Sequence, residues 1–511
     1  MRCLLPLILP LACAPIAAPD ASSGLAWPAP VTTLTTRLLA DPSLETALVL
    51  DPALPEGLAA AESAGLGEWT EVAGEPRMRR DDLAPGHSPG ANRRSLAFFL
   101  HQTDAQLADT ESPIRMVGTD GVGSTESACR PQEIYAIHAL DALIRTANAL
   151  SIDAPIDFAL TTGDNIDNAQ TNELGWFVSV WDGTPLRPDS GDPDSQADED
   201  GNDPIAEFTP VGADFPWYAV AGNHDVLVQG NFDPSRYADD ALGTDAPLGT
   251  RDLTQPGGPL GFSSVADPSR AVMARSDLAS IYLDSPSTPG PVGHGFGATN
   301  IADDSVTWAA EPVAGVPIVL LSVDANPPDL GDAELSAAER DTFLVPALDA
   351  AQAAGQLVIL TSHYALADLA VEGGTRLGDL LLTYPNVVLT VSGHSHVNDI
   401  RAVGTPDNPG GFWEIRTASS TDWPGQGRLV ELVDNGDGTL SIFTTSLDYL
   451  APPGSMAARA RTLSLIDLQG GWRSHDGSGD AEDRNTELLQ VLPIGWATLA
   501  GRAGVRSEGL P

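Results

Sequence analysis

The feature that most constrains this chain is a repeated one: a short apolar run that stops at a polar cluster. Leu96–Leu100 leads into His101-Gln102-Thr103-Asp104, and Phe158–Leu160 into Thr161-Thr162-Gly163-Asp164. Trp217–Val220 leads into Ala221-Gly222-Asn223-His224-Asp225, and Val316–Val323 into Asp324 and Asn326. Leu357–Leu360 ends at Thr361-Ser362-His363, and Val387–Val391 at Ser392-Gly393-His394-Ser395-His396. Runs of this length bounded by turn residues predict buried strands. Between them, Pro131–Leu150 carries Ile134, Ile137, Leu140, Leu143 and Ile144 at helical spacing, and Leu335–Ala354 reads as a second helix. Strands alternating with helices predict an α/β fold. In open α/β sheets, ligands gather at the carboxyl ends of the strands, so clusters far apart in sequence converge on one rim.

The residue types at those ends point to metal chemistry. They offer Asp104, Gln106, Asp164, Asn223, His224, His363, His394 and His396. Imidazoles and carboxylates suit Zn, Mn and Fe, and Asn or Gln adds a neutral oxygen. One such cluster alone is a turn more often than a site. Ordered recurrence after successive strands is what carries the signal.

Composition narrows the chemistry further. The 511 residues carry a formal charge of −44, and the sequence contains no lysine, so all 26 basic residues are arginine. That excludes a P-loop, which needs its Lys on the phosphates, and Schiff-base catalysis. An acidic surface repels polyanions, so no extended nucleic-acid binding is expected. A small phosphate substrate would then need a local positive charge, for which bound metal ions are the natural source.

Taken in order, the clusters resemble the calcineurin-like metallophosphoesterase family. Its pattern is matched by Asp104-Ala105-Gln106, Gly163-Asp164-Asn165-Ile166-Asp167-Asn168, Gly222-Asn223-His224-Asp225, His363 and Gly393-His394-Ser395-His396. His101-Gln102-Thr103-Asp104, Ser112-Pro113-Ile114-Arg115 and Trp413–Ser419 resemble a bacterial exported branch of it. The resemblance implies a sandwich of two mixed β-sheets flanked by helices, with a dinuclear metal site at the strand ends. It implies that Asp164 bridges two ions, Mn, Fe or Zn. Asp104 and His396 would hold the first, and Asn223, His363 and His394 the second. His224 would protonate the leaving oxygen, with Asp225 orienting its ring. The implied activity is hydrolysis of phosphomonoesters or phosphodiesters by metal-bound hydroxide. Gln106 stands where the family has His, and three completions of the first site stay open: the Gln106 amide oxygen, a water, or Asp167. The rival reading is a non-catalytic exported metal-binding surface protein with the same fold.

The remaining segments are read more plainly. Met1–Ala18, with one Arg, an apolar run and small residues, resembles a secretory leader. Leu11-Ala12-Cys13 resembles a lipobox, so export to the periplasm, the outer membrane or the exterior is expected, with membrane attachment through a lipid on Cys13. With the leader removed, Cys129 is the only unlipidated thiol left, so no disulfide framework is expected. Residues 19–94 read as an N-terminal extension broken by the charged Arg77–Asp82, 95–450 as the metallophosphoesterase domain, and 451–511 as a C-terminal extension packing on it. Asp189–Pro204 reads as a solvated acidic loop, with a calcium site as the alternative. Asn435-Gly436-Asp437-Gly438 reads as a hairpin turn. Gly86-His87-Ser88-Pro89-Gly90 matches a nucleophile-elbow spacing but lacks the strand-to-helix context. Arg115 reads as an ion-pair residue, and His87, His101, His138, His294 and His475 as structural. The insertions Gly183–Asp214 and Ser235–Ala310 are expected to shape a substrate cleft.

Overall fold

The structure is a computed structural model that describes residues 27–41, 44, 50–191, 203–255, 257–286, 289–327, 333–405, 411–492 and 501–511. The leader with Cys3 and Cys13, and most of the acidic run 189–204, lie outside the described residues.

Thirteen strands build the two large sheets: β1 (Met78–Leu83), β2 (Arg94–Gln102), β3 (Phe158–Thr161), β4 (Trp217–Ala219), β5 (Trp308–Ala310), β6 (Ile318–Ser322), β7 (Leu357–Thr361), β8 (Val387–Ser392), β9 (Asp399–Val403), β10 (Phe412–Arg416), β11 (Gln426–Asp434), β12 (Thr439–Asp448) and β13 (Thr486–Val491). The first sheet runs β1-β13-β12-β11-β2-β3-β4, with Arg502–Ala503 added beside β2. The second runs β9-β10-β8-β7-β6-β5. In the first, β2, β3 and β4 are parallel neighbours, Leu100 facing Ala159 and Leu160 facing Tyr218. In the second, β6, β7, β8 and β10 are parallel. Parallel strands put successive carboxyl ends on the same side, so each sheet brings its polar clusters to one edge.

Side-chain alternation explains how the layers close. Ile318, Leu320, Leu357, Ile359, Trp413 and Ile415 share one apolar core with Phe98, Leu100, Phe158 and Leu429 of the first sheet. Their neighbours Val319, Leu321, Val358 and Leu360 point the other way, against Leu344, Leu348, Leu377 and Leu381 of the covering helices. On the first sheet, α1 (Ala136–Ser151) buries Ile137, Leu140, Leu143, Ile144 and Ala147. The helix α2 (Thr171–Asp182) stops at Gly183, whose φ of 68° supplies the left-handed residue that closes a helix. The helix α3 (Met456–Gln469) packs on α1 and is capped by the Ser455 hydroxyl, which accepts from the Ala458 amide.

The charged stretch read as a break is a strand. Met78–Leu83 pairs in parallel with β13 as an edge strand. Arg79 meets Glu487 at 3.1 Å, and the Arg80 guanidinium lies 5.0 Å from the centre of the Trp413 ring. Charges on an edge strand block further pairing, so the alternation of apolar residues that flags a strand is missing here. The boundaries drawn at 95 and 450 therefore cut through the first sheet. The turn at Asn435–Gly438 joins β11 and β12, with the Asn435 amide donating to the Thr439 carbonyl at 3.1 Å. Ser88 lies in an irregular loop after β1, with no helix following it. Cys129 is a free, buried thiol. Among the described residues, no helix is long and apolar enough to cross a membrane.

His101, at the end of β2, is a core residue. Its ring nitrogens meet the hydroxyls of Thr162 at 2.8 Å and Thr417 at 2.7 Å. Burial, helped by the Arg428 charge, pushes its pKa down to about 3. The unfolded chain therefore takes up a proton near pH 6.5 that the fold refuses, and stability present above that pH is lost as pH falls toward 3. Replacing His101 by Gln should flatten the pH dependence of unfolding free energy between pH 6 and 4 by about 1.4 kcal/mol per pH unit, measured by urea denaturation.

Candidate metal centre

The loops that follow β2 and β3 are tied together before any side chain is considered. Asp104 N donates to the Gly163 carbonyl at 3.0 Å, Gln106 N to the Asp164 carbonyl at 2.8 Å, and Leu107 N to the Asn165 carbonyl at 3.1 Å. The second sheet joins the same rim: Gly393 N donates to the His363 carbonyl at 2.9 Å, and His394 N to Asp104 Oδ2 at 3.0 Å. Gly393 is required here, because a Cβ would overlap Thr103 and the Asp104 carboxylate; a Cβ at Gly222 would overlap Asp164.

Backbone strain concentrates at the same place. Ten non-glycine residues have positive φ among the described residues, and five of them are Asp104, Gln106, Asp164, His394 and His396. Such conformations cost on the order of 1–3 kcal/mol each and persist where the surroundings over-determine them. Here they turn the side chains at the strand ends toward a common point.

The side chains meet there. His363 Nε2 lies 3.1 Å from Asp164 Oδ2 and 3.9 Å from Asp104 Oδ1. His396 Nε2 lies 3.2 Å from Asp104 Oδ1, and His394 Nδ1 lies 3.2 Å from His363 Nε2. Ligand atoms of Asp164, His363 and His394 all fall within 4.8 Å of one another. Gln106 Nε2 donates to Asp164 Oδ2 at 3.4 Å, and Asn223 Nδ2 donates to the Gly230 carbonyl at 3.1 Å. The structure thus brings together Asp104, Gln106, Asp164, His363, His394 and His396, with Asn223 and His224 lining the same cleft.

Burial alone would push the Asp104 and Asp164 carboxyls up. The neighbouring imidazoles outweigh it and hold both below the usual carboxylate range, His396 and His363 acting on Asp104, His363 and His224 on Asp164. Conversely, burial lowers His363 and His396, but their carboxylate partners raise each to about 9. His394 is pushed down to about 4 by burial and by the His363 charge.

Two oxygens test whether this cluster suits a cation. Gln106 Oε1 and Asn223 Oδ1 are buried and accept no hydrogen bond, while Asp104 Oδ1 faces His396 Nε2 at 3.2 Å. Buried acceptors without donors are rare. Oxygens and imidazole nitrogens are the donors that Zn, Mn and Fe favour. His363 Nδ1 faces the Thr162 carbonyl at 2.9 Å, which leaves Nε2 pointing inward, the support expected of a ligating imidazole.

Two expectations change. Asp225 does not orient His224: its Oδ2 accepts from the Gly222 amide at 2.7 Å, and its Oδ1 from the amides of Asn165 and Ile166 at 3.0 and 3.2 Å. It pins the loops. Asp167 holds the ring instead, with Oδ1 2.9 Å from His224 Nδ1. That engagement also removes Asp167 as the substitute for Gln106, because its other oxygen is taken by Arg115 and by Gln229 Nε2 at 2.9 Å. Arg115 is wholly buried and meets Glu133 at 2.6 Å as well, so it is an ion-pair residue behind the site. Four side-chain nitrogens, those of His224, Arg115, Gln229 and Asn168, face the Asp167 carboxylate, which stays below the usual range because Arg115 and His224 outweigh burial.

A cleft of about 570 Å³ opens over the cluster. Asp164, Asn223, His224, His394 and His396 form part of its lining, and Arg130, Arg473 and His475 add cationic or ionisable groups. No described residue of 183–214 or 235–310 lines it. The insertions support the site from behind: Arg270 lies 3.0 Å from Asp109, and the Tyr282 hydroxyl accepts from Asn165 Nδ2 at 3.2 Å. Arg130, Asp422 and Arg473 were not legible as site residues in the sequence. No motif contains them, and Arg473 comes from the segment read as a terminal extension.

No family model matches the chain, and no curated protein matches it significantly. Solved structures it resembles include a dimetal phosphatase from Danio rerio, at 13% identity and TM-score 0.34, covering 70% of this chain and 99% of that one. They also include GAP50, the anchor in the inner membrane complex of Plasmodium, at 10% identity and TM-score 0.27, covering 76% of this chain and 97% of that one.

The exchange of roles between the two carboxylates is testable by paired substitutions. Asp225→Asn should lower the melting temperature, because the amide cannot accept all the donors that converge on it. Asp167→Asn should lower the proton affinity of the His224 ring, whereas Asp225→Asn should not remove that contact. NMR titration of the His224 ring, alongside differential scanning fluorimetry, separates the two roles.

Proposed function

We propose that this chain hydrolyses phosphate esters, monoesters or diesters, at a pair of cations held by Asp104, Gln106, Asp164, Asn223, His363, His394 and His396. The observation that carries the reading is the convergence of Asp104, Asp164, His363, His394 and His396 on one point, with the buried, donorless oxygens Gln106 Oε1 and Asn223 Oδ1 beside them. When bound, two cations would draw charge from the phosphoryl oxygens and make a water acidic enough to attack near neutral pH.

The chain's own groups supply the rest. Asp164 lies between the two halves of the cluster, its Oδ2 facing His363 and its Oδ1 accepting the His224 amide at 2.9 Å. It would be the carboxylate shared by both ions. His224 has its Nδ1 fixed by Asp167, so Nε2 faces the cleft, 3.9 Å from Asp164. Asp164 and Asp167 raise its proton affinity against the effect of burial. A protonated Nε2 at the cleft wall can give its proton to the departing alkoxide as the P–O bond breaks. His394 opens to the cleft and can hydrogen-bond a phosphoryl oxygen as well as ligate. The arginine and histidine side chains in the lining suit a small anionic ester.

Export through the Met1–Ala18 leader and lipidation of Cys13 are part of the same proposal, resting on those residues alone. The second reading is a non-catalytic exported metal-binding surface protein with the same fold, and Gln106 is the observation that favours it: an amide oxygen binds a transition metal more weakly than imidazole.

Asn223→Ala and His394→Ala should each reduce hydrolysis of p-nitrophenyl phosphate and bis(p-nitrophenyl) phosphate by at least about 10²-fold. Chelation should abolish the wild-type rate, and Mn²⁺ or Zn²⁺ should restore it. Undiminished turnover in either variant rules the assignment out, and two bound ions with no turnover on any phosphoester decides for the non-catalytic reading.

A further inference from the structure

We propose that Asp422 is a positioning residue for the first cation site, held in place by Arg130 and by Arg473 from the C-terminal segment; this rests on the two-cation reading above. Asp422 Oδ2 lies 2.5 Å from His396 Nδ1. That contact fixes which ring nitrogen carries the proton and turns Nε2 toward Asp104 Oδ1, 3.2 Å away. A carboxylate behind a ligating imidazole orients the ring and makes it a stronger donor, and its loss costs about 10–100-fold in metal affinity.

The surroundings of Asp422 show that it is placed for this. It is 3% exposed. Its Oδ1 accepts from Gln132 Nε2 at 2.9 Å and lies 3.3 Å from Arg130 Nε and 3.4 Å from Arg473 Nη2. Two guanidinium groups keep the buried carboxylate ionised, and Asp467, 3.4 Å from Arg473 Nε, keeps that arginine in place. A buried carboxylate needs such partners to stay charged.

The backbone makes the same connection. Asn398 N donates to the Gly477 carbonyl at 3.0 Å, and Gly477 N donates to the Trp423 carbonyl at 3.1 Å. A Cβ at Gly477 would press on the carbonyls of His396 and Trp423. Residues 473–477 thus clasp both the loop that carries His396 and the loop that carries Asp422.

The site gains most from this where it is weakest. Gln106 gives the first site a neutral amide oxygen, so His396 is the only imidazole assigned to it. A more basic His396 offsets that deficit, whereas the second site has two imidazoles and needs no such help.

The test is metal binding by the intact chain, measured by equilibrium dialysis against Mn²⁺ with elemental analysis, alongside turnover. Wild type should bind two ions of unequal affinity. Asp422→Asn should weaken one ion by about 10–100-fold and leave the other unchanged, with lost turnover recovered at high Mn²⁺. Arg473→Gln should weaken the same ion by a smaller factor, which keeps the idea testable if the Asp422 variant does not fold. A merely structural role would weaken both ions together or move only the melting temperature. Either of those results, or two ions bound to Asp422→Asn with wild-type affinities, overturns the proposal and leaves the function standing. A wild-type chain that binds no ions overturns both.

Discussion

Two buried carboxylates within reach of the same imidazole set the terms for everything else at this rim. Asp104 and Asp164 are 0% and 1% exposed, and His363 faces both. Like charges this close, out of water, repel strongly. They are tolerated because protons on His363 and His396, or cations in their place, neutralise them. The need to bring such groups together explains the left-handed backbone at five of the cluster residues and the glycines at 222 and 393. Local comfort is given up along the rim, and the two parallel-stranded cores behind it bear the cost.

Much of this was legible in the sequence, for a definite reason. Buried parallel strands leave short apolar runs, and residues that end them on one rim leave polar clusters immediately after. Asp104, Asp164, Asn223, His363, His394 and His396 were readable because each sits within a few residues of such a run. The mixed α/β architecture followed from the same alternation. What stayed hidden has equally definite causes. Met78–Leu83 is an edge strand whose charged residues erase the strand pattern. Asp167 and Asp225 are both near His224 in space, and nothing in their spacing says which carboxylate meets the ring and which takes the backbone amides. Asp422, Arg130 and Arg473 belong to no strand end and meet only through the folded chain.

The supporting groups behind the cleft form two separate supports. Asp167, with Arg115, Glu133 and Gln229, holds His224 on one side. Asp422, with Arg130, Arg473 and Gln132, holds His396 on the other. In each, a buried carboxylate grips Nδ1 of an imidazole and arginine balances the charge. With no lysine in the chain, arginine is the one permanently charged cation it can use, and its planar fork suits a carboxylate that must be held in a fixed direction.

The pairing of β1 with β13 reaches beyond the site. Arg79 and Glu487 touch across 408 positions of sequence, and Thr33 meets Asn485 at 2.9 Å. Among the described residues, the first of these strands pairs with no other strand of the sheet, so it stays unpaired until the segment 408 positions further on reaches it. Contacts this distant are slow to form. The waiting strand is MRRDDL, whose charges discourage it from joining another chain meanwhile. The first sheet therefore closes only when these two distant segments meet.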